Sequence, residues 1–248
     1  MKKNLIKGRL GGFTLMETLL AVALVGMLVS IFLTVFVPAR GMVQQALTKQ
    51  ESERITGILR AELATLHSHE QAGEHEKKSS PNKYLSTFDK GFYWLLKSKR
   101  PNTSIVIFSY RADTSKSPRD NGSYPPVPPS RVVPGKNSQL VTVACPMNDP
   151  IHKNDIKDAV GSVFIVKMTQ LMPSRNGEYT LAGNPGTIKG ASDPENYFSE
   201  QEDDAWGGAI FYRADFYLMS PPHPARYRTR TWAKMGRPLF SANLSFRR

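Results

Sequence analysis

A single cysteine, Cys145, stands in 248 residues. An intrachain disulfide is therefore excluded, and a fold outside the cytoplasm would be held by packing, with or without the help of a metal. Its neighbours Leu140-Val141-Thr142-Val143-Ala144 read as a strand, which makes Cys145 a small buried apolar residue. Catalytic signatures are lacking too: there is no Gly-x-Ser-x-Gly elbow, no phosphate-cradling glycine loop and no dinucleotide fingerprint. The five histidines, His67, His69, His75, His152 and His223, lie in polar or proline-rich stretches. The expectation is a protein that is not an enzyme. Carboxylates are outnumbered, 21 Asp and Glu against 33 Lys and Arg, and the net charge is +12. Such a balance favours anionic surfaces, whether lipid head groups, acidic partner subunits or nucleic acid, without choosing among them.

What the chain does have is one long apolar run near its start. Lys2, Lys3, Lys7 and Arg9 precede Gly11-Gly12-Phe13-Thr14-Leu15-Met16-Glu17, and apolar or small residues continue through Val37. About 20 such residues are enough to cross a bilayer as a helix, with the basic flank on the cytoplasmic side. One carboxylate interrupts the run. Glu17 lies one turn into the helix, where an ionised side chain costs roughly 2.5–3.5 kcal/mol on insertion scales and asks for a partner. A secretory signal cut near Val37-Pro38-Ala39 is a rival reading, but its apolar core would far exceed the roughly 7–15 residues such signals use. That reading, like a plain single-pass anchor, gives Glu17 no task.

The segment resembles the class III signal of type IV pilins and pseudopilins: a short basic leader ending in Gly12, a cut before Phe13, and Glu at the fifth position of the mature chain. The resemblance covers about a quarter of the chain. It implies that a prepilin peptidase removes residues 1–12 and methylates the new amino terminus at Phe13, and that Glu17 pairs with the terminal ammonium of a neighbouring subunit. It also implies a single-pass protein of a bacterial inner membrane, held in lipid before assembly, with its C-terminal head periplasmic or extracellular. Its partners would be other pilin or pseudopilin subunits and an inner-membrane assembly platform. Size alone places the chain nearer a pseudopilin of type II protein secretion than a compact major pilin.

The organisation expected on this basis is α+β: a transmembrane helix over 13–39, an amphipathic helix over 40–78, and an antiparallel β-sheet head over 79–248. Val43, Leu47, Ile55, Ile58, Leu59, Leu63 and Leu66 recur at helical spacing and mark the face that packs on the head. Pro38 should bend the helix without stopping it. In His67–Lys78 the spacing of His67 and His69 argues against a helical zinc pair and for a solvated, frayed helix end. Gly91–Leu96 reads as a strand or a short helix. Strands are expected at Ser104–Tyr110, Gln139–Ala144, Gly161–Met168, Glu178–Leu181 and Ala209–Leu218. Six prolines in 115–134 make that stretch a long surface loop. Ile107–Asp113 echoes Ile210–Asp215, as two equivalent strands would, although two instances do not make a repeat.

Two further groups of residues invite a ligand. Asp193, Glu195, Glu200, Glu202, Asp203 and Asp204 crowd one stretch. A hard cation such as calcium takes six to eight oxygens from a flexible segment. Some major pseudopilins bind calcium in a loop of their sheet domain, and the resemblance makes Asp193, Glu195, Glu202, Asp203 and Asp204 the candidate ligands here. Against this, Ala205 intervenes before Trp206-Gly207, and no alternating Asp-x-Asp-x-Asp-Gly loop is present; a solvated acidic loop complementary to a basic neighbour is the other reading. The tail interleaves Arg226, Arg228, Arg230 and Arg237 with Tyr227 and Trp232. Phosphate contact and base stacking would suit nucleic acid. The same alternation describes an edge strand or subunit interface with outward arginines, which is preferred, so nucleic acid is a disfavoured partner. The functional expectation is a filament subunit; its rival is a minor pilin or anchored module that touches DNA or a surface through this tail.

Overall fold

The computed structural model describes residues 14–72, 83–119, 121–132, 138–174, 176–188 and 209–247. The chain falls into two units, Met1–Ser52 and Glu53–Arg248. The first is the front of a helix, α1, which runs from Leu15 to Leu63 and continues through Pro38. Its stretch Leu15–Thr34 is long and apolar enough to cross a membrane, and none of it is buried within the chain. Thr18, Ser30 and Thr34 return their hydroxyls to backbone carbonyls one turn earlier, to Leu15, Gly26 and Ser30, at 2.8–2.9 Å. In a medium without water this satisfies polar groups that would otherwise be costly.

The second unit is α+β. The last turns of α1 bury Ile55, Leu59 and Leu63, whereas Val43 and Leu47, expected on the same face, are exposed. The helix also ends at Leu63 and not near residue 78; a 3₁₀ turn, Ser68–Glu70, follows. A second helix, α2 (Thr87–Lys97), settles the ambiguity at Gly91–Leu96. Ser86 caps it, its Oγ accepting the Asp89 N–H at 3.1 Å, which satisfies one of the donors every helix start leaves open. Gly91 faces the Phe246 ring, and a Cβ there would stand 2.7 Å from Phe246 Cγ. Only a residue without a side chain allows that approach.

Among the described residues six strands form one antiparallel sheet: β1 (Ile105–Asp113), β2 (Ser138–Pro146), β3 (Phe164–Pro173), β4 (Tyr179–Leu181), β5 (Ala209–Leu218) and β6 (Phe240–Arg247). The order is β2-β1-β3-β5-β6, with β4 paired to the end of β3. The two strands with echoing sequences, β1 and β5, lie in this one sheet on opposite sides of β3. Both faces are covered around β1. Ile105 and Ile107 join the helices, and Val106, Phe108 and Tyr110 join Met147, Ile156 and Tyr227 beneath the loops. This double burial is why β1 reads as an unbroken apolar run where a one-sided strand would alternate. Each such side chain contributes about 1.5–3 kcal/mol on burial, against a backbone ordering cost of about 1–2 kcal/mol per residue. Cys145 is buried on β2, and burial pushes its thiol pKa well up, so it stays an unreactive thiol.

Toward β5 and β6 the loop-side face turns polar around a buried carboxylate. Asp215 receives Lys167 Nζ on Oδ2 and Ser241 Oγ on Oδ1, both at 2.7 Å. Burial alone would raise its pKa, but the bonds from Lys167 and Ser241 outweigh burial and hold it below the ordinary carboxylate value. Asp155 behaves likewise: burial is overcome by His152 and by a bidentate Arg119 at 2.6 and 3.0 Å. A folded pKa below the unfolded value of about 3.9 means stability that is complete above that pH and lost as pH falls through the folded value. The thermal midpoint is therefore expected to fall as the solution is taken below about pH 4. Asp215→Asn should flatten part of that decline and cost about 1–3 kcal/mol near neutrality; a variant with the parent's acid profile would show that the bond network carries no such linkage.

Candidate functional site

The start of α1 places the acid that the sequence singles out. Thr14 is its N-cap: its carbonyl accepts the Glu17 and Thr18 N–H groups at 3.0 and 3.1 Å, and its Oγ1 accepts Glu17 N–H at 3.3 Å. With Glu17 three residues on, Thr14-Leu15-Met16-Glu17 has the pattern of a capping box, in which the acid would return a bond to the backbone N–H of the cap. That return bond is not made. The Glu17 side chain is exposed and has neither a hydrogen bond nor an ion pair among the described residues. It is the only ionisable side chain between Arg9 and Arg40, and the hydroxyls farther along the run are satisfied within the helix. The arrangement is a lone exposed carboxylate near the start of an apolar helix. Gly12 and Phe13 lie outside the described residues, as do Asp193, Glu195, Glu202, Asp203 and Asp204 of the calcium reading.

The tail departs from the expected edge strand. Residues 224–235 form two 3₁₀ turns, Pro224–Tyr227 and Trp232–Met235, and the edge strand is β6, farther along. The alternation of basic and aromatic residues is real, but a turn separates its members and sends the aromatic ones inward. Tyr227 is buried, with its hydroxyl on Ser220 O at 3.3 Å. Trp232 donates its indole N–H to Ser98 O at 2.8 Å and lies 5.5 Å from the Tyr217 ring. Arg226, Arg228, Arg230 and Arg237 remain exposed, and Arg230 lies over Tyr227 at 5.0 Å. Both aromatics are thus committed to the fold and offer no free platform for bases.

A cluster that the sequence did not disclose closes the end of α1. Lys90, on the buried side of α2, has no exposed surface. Its ammonium donates to Glu62 Oε1 at 2.7 Å, Glu70 Oε2 at 2.9 Å and Thr65 O at 3.0 Å. His67 Nε2 reaches Glu62 Oε1 at 3.1 Å. Glu62, His67 and Glu70 bring their donor atoms within 4.8 Å of one another, as a metal site would. Here, however, Lys90 already holds two of the three, so the cation that this cluster needs is an ammonium of the chain itself. The His67–Glu70 turn is consequently tied down, not frayed. His67 and His69 stack at 5.6 Å. The cluster borders a cleft of about 430 Å³ that runs along Val141–Pro146 of β2. The clue in the sequence is a lysine within the apolar stripe of α2, between Phe88, Gly91 and Trp94.

Comparison of the chain with protein-family models, with curated proteins and with solved structures finds no match.

Proposed function

We propose that the chain is a pilin-like structural subunit, membrane-anchored before assembly, of a type II secretion pseudopilus or a type IV pilus-type filament. The observation that carries this reading is the unpaired Glu17 carboxylate on an unburied apolar helix. A carboxylate leaves water only when an opposite charge leaves with it, and the requirement for that partner sets the register between two rods. Cleavage between Gly12 and Phe13 supplies such a partner, because it frees an α-ammonium four residues before the acid. In a filament the ammonium of one subunit meets Glu17 of another, the apolar helices fill the centre, and the α+β units form the outer shell. Prepilin peptidase, other subunits and an inner-membrane platform are the partners this assembly requires. The head then lies on the periplasmic or outer side of a bacterial inner membrane. The role is mechanical and no catalysis is assigned to it.

The test is the mass and N-terminal sequence of the mature chain. A single species that starts at a methylated Phe13 is the expected result. An intact Met1 would mean a plain anchor, and a start at Arg40 a secreted protein; either removes the basis for the filament reading. The rival is an anchored module that holds DNA by its tail; against it, Tyr227 is buried and Trp232 is bonded to Ser98, while the arginines stay exposed.

A further inference from the structure

Strand β2 forms one edge of the sheet, and one row of its main-chain groups faces away from β1. Which row it is follows from the other side of β1. Ser109 O and Arg111 O accept the N–H groups of Val160 and Val127, and Asp113 donates its own to Pro125 O. These odd residues turn away from β2, so the even ones bond to it. Their partners on β2 are Val141, Val143 and Cys145, which leaves Leu140, Thr142 and Ala144 with N–H and C=O directed outward. None of those outward groups has a hydrogen-bond partner among the described residues. The strand also lacks the devices that blunt a free edge: residues 138–145 include no charge and no proline.

This edge lies in the cleft of about 430 Å³ described above, between a wall on each face of the sheet. Glu62, Glu70 and Trp94 border it on the helix side, and Asn121, Ser123 and His152 on the loop side. Lys90 fixes the first wall, and the His152 bond to Asp155 at 3.1 Å fixes the second. We infer that the groove takes one extended segment of a partner polypeptide as an added antiparallel strand, with a lysine or arginine directed at Glu62 and Glu70. Main-chain bonds supply affinity in such an addition, and alternate side chains supply selectivity. A second folded sheet is excluded, because the layers on its own faces would stand about 10 Å from its strands and meet the walls. In an antiparallel addition the residue bonded to Thr142 carries its side chain on the same face as Thr142. That face is the helix side, where Ala144 joins the helices. There Glu62 Oε2 and Glu70 Oε1 hold no hydrogen bond among the described residues, since His67 and Lys90 use the other oxygen of each. Glu62, Glu70 and Asp149 also outnumber the lysines near them, Lys83 and Lys90. A local negative excess on a chain of net charge +12 selects a basic segment and rejects an acidic one. The groove belongs to the second unit alone and does not depend on the filament reading.

The experiment reads amide hydrogen exchange, residue by residue, on the full chain in detergent micelles. In the free chain Thr142 and Ala144 should exchange faster than Val141, Val143 and Cys145, whose amides are bonded to β1. The probe is a short synthetic peptide, blocked at both ends, of alternating threonine and valine with a lysine in place of the central threonine. Its valine amides are N-methylated, so it has a single bonding row, the one that carries the lysine. At about 1 mM it should slow Thr142 and Ala144 at least about tenfold and leave β6, at the opposite edge, unchanged. A second peptide has the same side chains but is methylated at the threonine and lysine amides instead, and it should lose the effect. A third, with glutamate for the lysine, should bind at least about tenfold more weakly. The inference is overturned if Thr142 and Ala144 are as protected as their neighbours in the free chain, or if the probe does not slow them. Equal slowing by the two methylated peptides overturns it too, as does a glutamate peptide that binds as tightly as the probe. So does protection of Thr142 and Ala144 that rises with the concentration of the chain itself, the mark of two copies pairing edge to edge.

Discussion

A chain carrying Glu17→Gln is expected to enter the membrane as well as the parent does and to fail to polymerise. The substitution separates charge from everything else at that position. Glutamine serves as well as glutamate at the third position of a capping box, so the start of α1 at Thr14 is spared whichever local bond the side chain makes. It also relieves the roughly 2.5–3.5 kcal/mol that an ionised group costs in the apolar layer, so insertion does not suffer. What it removes is the anion for an incoming ammonium. Breaking one side of a desolvated pair costs about 3–5 kcal/mol, which is more than a hundredfold in each subunit contact. The measurement is the ratio of polymer to membrane-held chain, by sedimentation after shearing or by cross-linking across the apolar helices. Parent-like polymer from the Glu17→Gln chain would leave Glu17 as a tolerated passenger and remove the mechanism proposed for assembly.

That carboxylate was legible in the sequence because its signal is contiguous. A basic flank, a glycine pair, an acid and a long apolar run all fall within a few turns, and the structure adds that the acid has no partner among the described residues. Strands β1, β3 and β5 were legible for a related reason: apolar runs rich in β-branched and aromatic residues match their burial. The end of α1 was not. The polar stretch after Leu66 has good helix formers, and nothing local says that the helix stops at Leu63. At that end the Lys90 ammonium, 25 residues beyond Thr65, donates to the Thr65 carbonyl.

The tail misled for the opposite reason. Alternate residues in Tyr227–Trp232 have the period of a strand, but the indole of Trp232 needs a buried acceptor and finds it at Ser98, 134 residues away. A non-local hydrogen bond of that kind overrides local periodicity, because leaving a buried N–H unpaired costs about 1–3 kcal/mol. Ser98 serves three elements at once. It ends α2 by donating Oγ to Trp94 O at 3.3 Å, accepts the Met168 N–H of β3 at 3.2 Å, and gives its own carbonyl to Trp232. Gly91–Leu96 was ambiguous by length alone. Ser86 with Asp89 three residues on was the helix-start signal that could have decided it.

Lys90→Met is expected to be the most damaging single change in the second unit. The ammonium has no exposed surface; Glu62, Glu70 and the Thr65 carbonyl bond to it, and the Trp94 ring lies 5.1 Å from it. With the lysine gone, two carboxylates that are 22% and 14% exposed face one vacated position, and a terminal helix carbonyl loses its donor. Breaking such a group costs about 3–5 kcal/mol, out of a total stability that for most domains is about 5–15 kcal/mol. At about 2–4 °C per kcal/mol for a unit of this size, the thermal midpoint should fall by roughly 6–20 °C. The size of the effect comes from the charges left behind and not from the lysine alone, which gives a second variant its meaning. Lys90→Met combined with Glu62→Gln and Glu70→Gln removes all three charges together. Replacing a buried ionic group as a whole is often neutral, so this variant should regain most of the loss. Calorimetry or circular dichroism of the full chain reads both. A Lys90→Met protein that melts within a degree of the parent would mean that the cluster does not hold the end of α1. A triple variant no better than Lys90→Met would mean that the loss is one of packing around the lysine stem and not of charge. If both results fall as expected, the role of Lys90 is to fix where the helix ends, so that Ile55, Leu59 and Leu63 meet the sheet in one register.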